Sequence, residues 1–254
     1  MSTVTFTCNE KGGSGKTTCA VGFAEVWRSQ IGRPLRLIDC DDRHKLARFK
    51  GDQVLKIESS ISADLLAENP DLALSYWDPI GQLMVSGADC LIDLAAGVGI
   101  QVLQWADRSQ IFEYLSDTTV IFIVPTKPDP EGLTGARQIL ESVPDIIPTA
   151  IRVLVLNGLT RDFAKYSDNE DYGALLSLPG VMIIKIPYCS SPLWVTLEKD
   201  GISYATAVEL GAEKIARACG YTAPWVAARD LGSIAKWGKD VHEAFQPLFS
   251  LIPR

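Results

Sequence analysis

Residues 3–18 read TVTFTCNEKGGSGKTT, and the order in which this stretch changes character decides the fold. Thr3–Cys8 is apolar and β-branched, as a buried strand requires. A loop with Gly12, Gly13 and Gly15 follows, and Lys16-Thr17-Thr18 then opens an apolar, helix-like run to Ser29. Strand, glycine-rich loop and helix are the context a phosphate loop needs. Glycines accept backbone conformations that turn successive N–H groups inward around an anion, so Gly12, Gly13, Ser14 and Gly15 form the expected cradle. The helix start adds the positive end of its dipole. Lys16 is then placed to reach the β- and γ-phosphates of a nucleotide, Thr17 to ligate Mg²⁺, and Thr18 to donate toward the α-phosphate. A plain turn before an ordinary helix would account for the glycines, but not for lysine and threonine in this register.

Further strands are expected at Leu35–Asp39, Cys90–Asp93, Thr118–Val124, Arg152–Leu156 and Val181–Ile186. Most are continuous apolar runs, the pattern of strands covered on both faces in a parallel sheet. Helices are expected at Lys16–Ser29, Val98–Leu115, Glu131–Val143 and Ala205–Cys219. The alternation predicts an α/β fold: one doubly wound, mostly parallel sheet flanked by helices. Ligands of such sheets bind beyond the carboxyl ends of the strands. Residues 157–180 are polar and interrupted, and read as a surface excursion with a short helix. The tail from Ala227 carries Leu231, Ile234, Val241, Phe245 and Leu248 at helical spacing, so residues 227–254 are expected to form an amphipathic helix packed on a domain of residues 1–226.

The 254 residues carry 24 Lys+Arg against 31 Asp+Glu, a net charge of −7 that argues against a wholly basic, nucleic-acid-coating surface. No apolar run is long enough to span a bilayer, and no basic-then-apolar leader opens the chain. The six cysteines show no CxxC spacing. Reduced thiols in a cytoplasmic protein are the expectation.

One departure from the general GxxxxGK[ST] pattern is informative. Glu10 stands where the first glycine would be, and Lys11 follows it. With KGGSGKTT, Lys11 to Thr18, the chain resembles the MinD/ParA family of deviant Walker A ATPases, P-loop NTPases, over roughly Ser2 to Gly220. The resemblance implies ATP and Mg²⁺ as cofactors and an ATP-dependent homodimer in which Lys11 reaches the partner's phosphates. In LRLIDCDDRHK it implies that Asp41 positions the attacking water and Asp39 belongs to the magnesium shell. Asp42-Arg43 replaces the Pro-Gln usual in ParA proteins. In DCLIDLAAGVG it implies that Asp93 holds the metal through water and that Gly97 senses the γ-phosphate, although Ala95-Ala96 stand where Pro or Gly is common. Asn157, after another strand, falls where family members bind adenine, with Pro187 and Tyr188 as walls of the base pocket. An Asn-Gly turn is the plainer reading of residues 157–158.

The function implied is a switch: ATP favours a dimer that binds a surface and a stimulating partner or adaptor protein, and hydrolysis releases it. Its work would be to position or segregate cargo such as a plasmid, a chromosome or a protein assembly. Nonspecific DNA is favoured over a membrane as the surface. The basic run Arg28, Arg33, Arg36, Arg43, Lys45, Arg48 and Lys50 bears on DNA, although a solvated face is its plainer reading. Two alternatives stand beside this: a small-molecule ligase or synthetase of the same fold, which would not need Lys11, and a low-turnover ATP-binding adaptor in conjugation or secretion.

Overall fold

The strand that opens the chain lies at the centre of the sheet. A computed structural model describes residues 1–41, 43–50, 53–57, 75–115, 117–159 and 163–253, without the side chain of Lys50. Asp42 of the Asp42-Arg43 replacement therefore lies outside the described residues. Seven strands pair in the order β3-β2-β4-β1-β5-β6-β7: β1 Ser2–Thr7, β2 Arg36–Cys40, β3 Val54–Lys56, β4 Cys90–Leu94, β5 Thr118–Thr126, β6 Ile151–Asn157 and β7 Val181–Ile186. Every pairing is parallel. The helices are α1 Lys16–Gln30, α2 Lys45–Lys50, α3 Asp78–Val85, α4 Gly99–Ser109, α5 Pro130–Ile146, α6 Glu170–Leu176, α7 Leu193–Asp200, α8 Tyr204–Ala218 and α9 Pro224–Phe249. The doubly wound α/β architecture expected from the alternating pattern is the one observed.

All six residues of β1 are buried, and the sheet separates two apolar cores. One, on the side of α1, α7, α8 and α9, gathers Phe23, Trp27, Ile121, Val153 and Val155. The other, on the side of α3, α4 and α5, gathers Val4, Phe6, Ile92, Phe122 and Leu154. This is why the central strands β1, β4 and β5 run apolar with little alternation: neither of their faces meets water. The tail helix begins at Pro224, earlier than the stripe alone marks. Leu231, Ile234, Val241, Phe245 and Leu248 are all buried against α1, α8 and β7. A Cβ on Gly22 of α1 would lie 3.3 Å from Val241, so the two helices approach as closely as a glycine permits. Each such fully buried large side chain is worth roughly 1.5–3 kcal/mol. Lys236 and Lys239 lie on the outer face, paired one turn on with Asp240 and Glu243.

Three local departures have physical reasons. The expected helix Val98–Leu115 breaks at Gln110, whose φ of 52° ends α4 before a 3-10 turn at Ile111–Tyr114. Strand β3 has only three residues, two of them exposed, and so leaves little apolar signal. β5 runs on to Thr126 through Pro125, whose missing N–H costs the strand little where the ladder ends.

Candidate functional site

At the carboxyl end of the sheet the register sets three polar residues side by side: Thr7 of β1 is level with Asp93 of β4, and Asp93 with Asp39 of β2. The Thr7 hydroxyl donates to one oxygen of Asp93 at 2.7 Å, and the Thr17 hydroxyl, from the first turn of α1, donates to the other at 2.7 Å. Asp93 is almost wholly buried, and burial pushes its carboxyl from 3.8 up to about 7, against the two hydroxyl bonds. A carboxylate this short of water gains much from a cation beside it. The neighbouring Asp39 is fully buried. One of its oxygens accepts from Asp41 N–H at 3.0 Å and the other from Ala47 N–H at 3.0 Å. Each carboxylate oxygen keeps a further lone pair, so Asp39 orders the loop after β2 without being exhausted as a ligand.

The glycine-rich loop springs from β1 and is stitched down on both sides. On the β5 side, the Asn9 amide donates to Pro125 O at 2.8 Å and Gly132 O at 3.2 Å, while its oxygen accepts from Lys11 N–H at 2.8 Å. On the β6 side, Asn157 donates to Ser14 O at 3.0 Å and accepts from Leu159 N–H at 3.2 Å. Gly15 has a φ of +100°, and a Cβ there would fall 1.9 Å from the Asn157 amide. Glycine is therefore required twice over, by conformation and by contact. The Lys16 ammonium lies inside the loop, near the carbonyls of Asn9 at 3.4 Å and Lys11 at 3.3 Å. Burial lowers its pKa, with Asp93 the strongest opposing charge. Ser14 Oγ is buried and has no hydrogen-bond partner among the described residues.

Above the loop is a cavity of about 370 Å³, within the range of small-ligand sites. Gly12, Gly13, Gly15, Lys16, Thr17, Thr18, Asp41 and Asn157 line it, with Asp93 and Asp39 beneath. The residues expected to hold phosphate and metal are thus brought together. Among the described residues no cluster of three or more His, Cys, Asp or Glu is placed to hold a metal alone. A hydroxyl and a carboxylate at one edge of a phosphate cradle suit Mg²⁺, which usually takes one or two protein ligands and completes its shell with phosphates and water.

The residues expected to meet the base lie in different surroundings. Asn157 is fully buried and braces the loop through its amide at the wall of the phosphate cavity. Pro187 and Tyr188 line a separate cavity of about 730 Å³ with Leu156, Gly158, Phe163 and Tyr172. Successive residues at a strand end face opposite sides of the sheet, so Asn157 and Leu159 belong to the phosphate cavity while Leu156 and Gly158 belong to the other. Lys11 is also outside the phosphate cavity. Its ammonium is ion-paired with Glu131 at the start of α5, and both side chains are exposed. Gly97 has the positive φ, 79°, of a residue that turns its backbone sharply.

Several residues of the site had no role assigned from the sequence: Thr7, Asn9, Glu10, Lys127 and Glu198. Thr7 alternates with Thr3 and Thr5 as ordinary strand residues do, and Asn9 reads as a turn residue. Glu10 does have a signal, its place where glycine is usual. Its carboxylate accepts from Ile100 N–H at 3.1 Å in the first turn of α4, which has no acidic residue of its own there. It supplies the negative charge that a helix start favours and ties the phosphate loop to the loop after β4.

A phosphate cradle on the central strand of a doubly wound parallel sheet, with a buried lysine and a hydroxyl–carboxylate pair, defines a P-loop nucleotide-binding fold. The chain belongs to the CobQ/CobB/MinD/ParA nucleotide binding domain family, which it matches over residues 5–183. No curated protein matches it. It is similar to the MinC:MinD cell division protein complex of Aquifex aeolicus, at 16% identity over 91% of this chain and 96% of that one, with a TM-score of 0.49. It is also similar to a ParA family ATPase from Chlorobium tepidum, at 14% identity over 94% and 98% of the two chains, with a TM-score of 0.49. A nucleotide-binding protein from Archaeoglobus fulgidus, in complex with ADP, is 14% identical over 78% and 86%, with a TM-score of 0.46.

Proposed function

We propose that this protein is a cytoplasmic ATPase that dimerises on ATP and uses hydrolysis as a switch to position or segregate cargo. Lys16 and the loop N–H groups would hold the phosphates, and Thr17 and Asp93 would hold Mg²⁺, with Asp39 behind them. When bound, the metal neutralises charge on the β- and γ-phosphate oxygens. Asp41, at the cavity wall, orients the attacking water. The partners this reading calls for are a second copy of the chain, a stimulating adaptor protein, and nonspecific DNA in preference to a membrane.

The observation that carries the reading is the division between two lysines of one loop. Lys16 is buried and lines the cavity where the subunit's own phosphates would lie. Lys11 stands outside that cavity, held by an exposed contact to Glu131 that is cheap to exchange for a phosphate of another subunit. A small-molecule synthetase has no use for such a cation. Light scattering alongside phosphate release tests this. Wild type should be dimeric with ATP and monomeric with ADP, and Lys11→Ala should bind ATP yet neither dimerise nor hydrolyse it. Wild-type turnover by an ATP-bound monomer would overturn the switch. Co-sedimentation of the ATP form with plasmid DNA and, separately, with anionic liposomes distinguishes the surfaces.

A further inference from the structure

The basic run noted in the sequence divides in the structure. Arg28 pairs with Glu25 and Glu209, and Arg33 pairs with Asp89, so these two are engaged within the fold. Arg43 and Lys45 instead line the phosphate cavity together with Lys16 and Lys127, with Asp41 and Glu198 as its acidic lining residues. Arg43 makes no ion pair among the described residues, although the chain as a whole is acidic.

The turn that presents Arg43 is fixed by its own hydrogen bonds. Asp41 N–H donates to Asp39 Oδ1, Arg43 N–H donates to Asp41 Oδ1 at 2.8 Å, and His44 N–H donates to Asp41 O at 2.8 Å. His44 closes the turn with a φ of 46°, which a non-glycine residue seldom adopts. The arrangement holds Arg43 to the same turn as Asp41, in the loop that follows β2, whose Asp39 is level with Asp93, and both residues line the cavity with Thr17. Thr18 and the loop N–H groups serve the α- and β-phosphates and Lys16 reaches the β- and γ-phosphates, so the end of the ligand that meets the Arg43 turn, at the Thr17–Asp93 edge of the cradle, is the terminal phosphoryl group. A guanidinium offers a planar fork that matches phosphate oxygens two at a time.

We infer that Arg43 binds the terminal phosphate of the subunit's own nucleotide. This rests on reading the glycine-rich loop as a nucleotide-phosphate site. The position is one where the resemblance would place a neutral glutamine, so the chain carries a γ-phosphate cation in cis in addition to whatever a partner supplies. Arg43 thereby gives the site a preference for triphosphate over diphosphate.

The test is titration calorimetry with ADP and with adenosine 5′-(β,γ-imido)triphosphate, both with Mg²⁺. A charge-assisted hydrogen bond is worth about 1.5–3 kcal/mol, so Arg43→Ala should weaken the triphosphate analogue by roughly 10- to 150-fold. ADP affinity should stay within about twofold, since that ligand lacks the group contacted. Arg43→Gln should behave like Arg43→Ala, and Arg43→Lys should retain part of the preference. Unchanged discrimination in Arg43→Ala would overturn the assignment, and so would an equal loss for both ligands, which would mark Arg43 as a support of the turn. A wild type that binds neither ligand would bring down the phosphate-site reading itself and this inference with it.

Discussion

The two flanks of the phosphate loop are built from different chemistry. Toward β4 and β2 it rests on ionisable groups, with Asp93 between two threonine hydroxyls and Asp39 beside it. Toward β5 and β6 it rests on neutral amides, Asn9 and Asn157, whose bonds run to backbone carbonyls and N–H groups. The charged flank is where a ligand's charge is felt. The amide flank holds the loop's shape and is indifferent to charge. Variants on the two sides should therefore fail in different ways.

The largest effect is expected where the loop's own charge is removed. Lys16→Ala should weaken ATP by at least about 100-fold, since a buried cation serving phosphate oxygens makes charge-assisted bonds of roughly twice ordinary strength. Equilibrium dialysis measures it, and near-normal affinity would refute the assignment of this loop. Asp93→Asn probes the charged flank through pH. The folded carboxyl titrates at about 7 against 3.8 for the ordinary group, so the folded state binds the extra proton between those values. Wild-type stability should accordingly fall as pH rises from about 4 to about 7 and then level off. The neutral amide is free of that loss, so above pH 7 the ligand-free variant should be more stable than wild type, by on the order of a few kcal/mol, and melt higher. Parallel melting curves at pH 5 and pH 8 would show that Asp93 is not the titrating group.

On the amide flank, Asn157→Ala should cost about 1–3 kcal/mol in chemical denaturation, the price of leaving Ser14 O and Leu159 N–H buried and unpaired. That loss should be the same at pH 5 and pH 8; a pH-dependent loss would erase the distinction between the flanks. The smallest effect belongs to Glu131→Gln. Its ion pair with Lys11 is exposed, so thermal stability should not change measurably, while the ATP-dependent dimer should form more readily. A substantial fall in melting temperature would make Glu131 a structural residue.

The charged flank was far more legible in the sequence than the amide flank. KGGSGKTT and the aspartates at strand ends carry their chemistry in their residue types, and the central strand follows from its uninterrupted apolar run. Asn9 and Asn157 could not be read in the same way. An asparagine after a strand has the same appearance whether it makes a turn, meets a base or braces a loop, and only the packing of β5 and β6 beside β1 decides. The separation of Pro187 from Asn157 depends on which side of the sheet each faces, a matter of register at the end of β6. Arg43 was visible as a basic residue but its place at the cavity was not, because that depends on the nested turn that Asp39 and Asp41 build.

The amide stitches bear on how much freedom a nucleotide must remove on arrival. The loop leaves a strand buried along its length, enters a helix directly, and is pinned to its neighbours by two side chains between those ends. Its shape is set before any ligand is present, so little conformational entropy remains to be lost there on binding. On the function proposed above, the ordering that accompanies triphosphate would fall instead on the longer side chains around the rim, Arg43, Lys45 and Lys127. Affinity for the shared part of the ligand would then be built into a rigid frame, and discrimination between nucleotides left to movable parts.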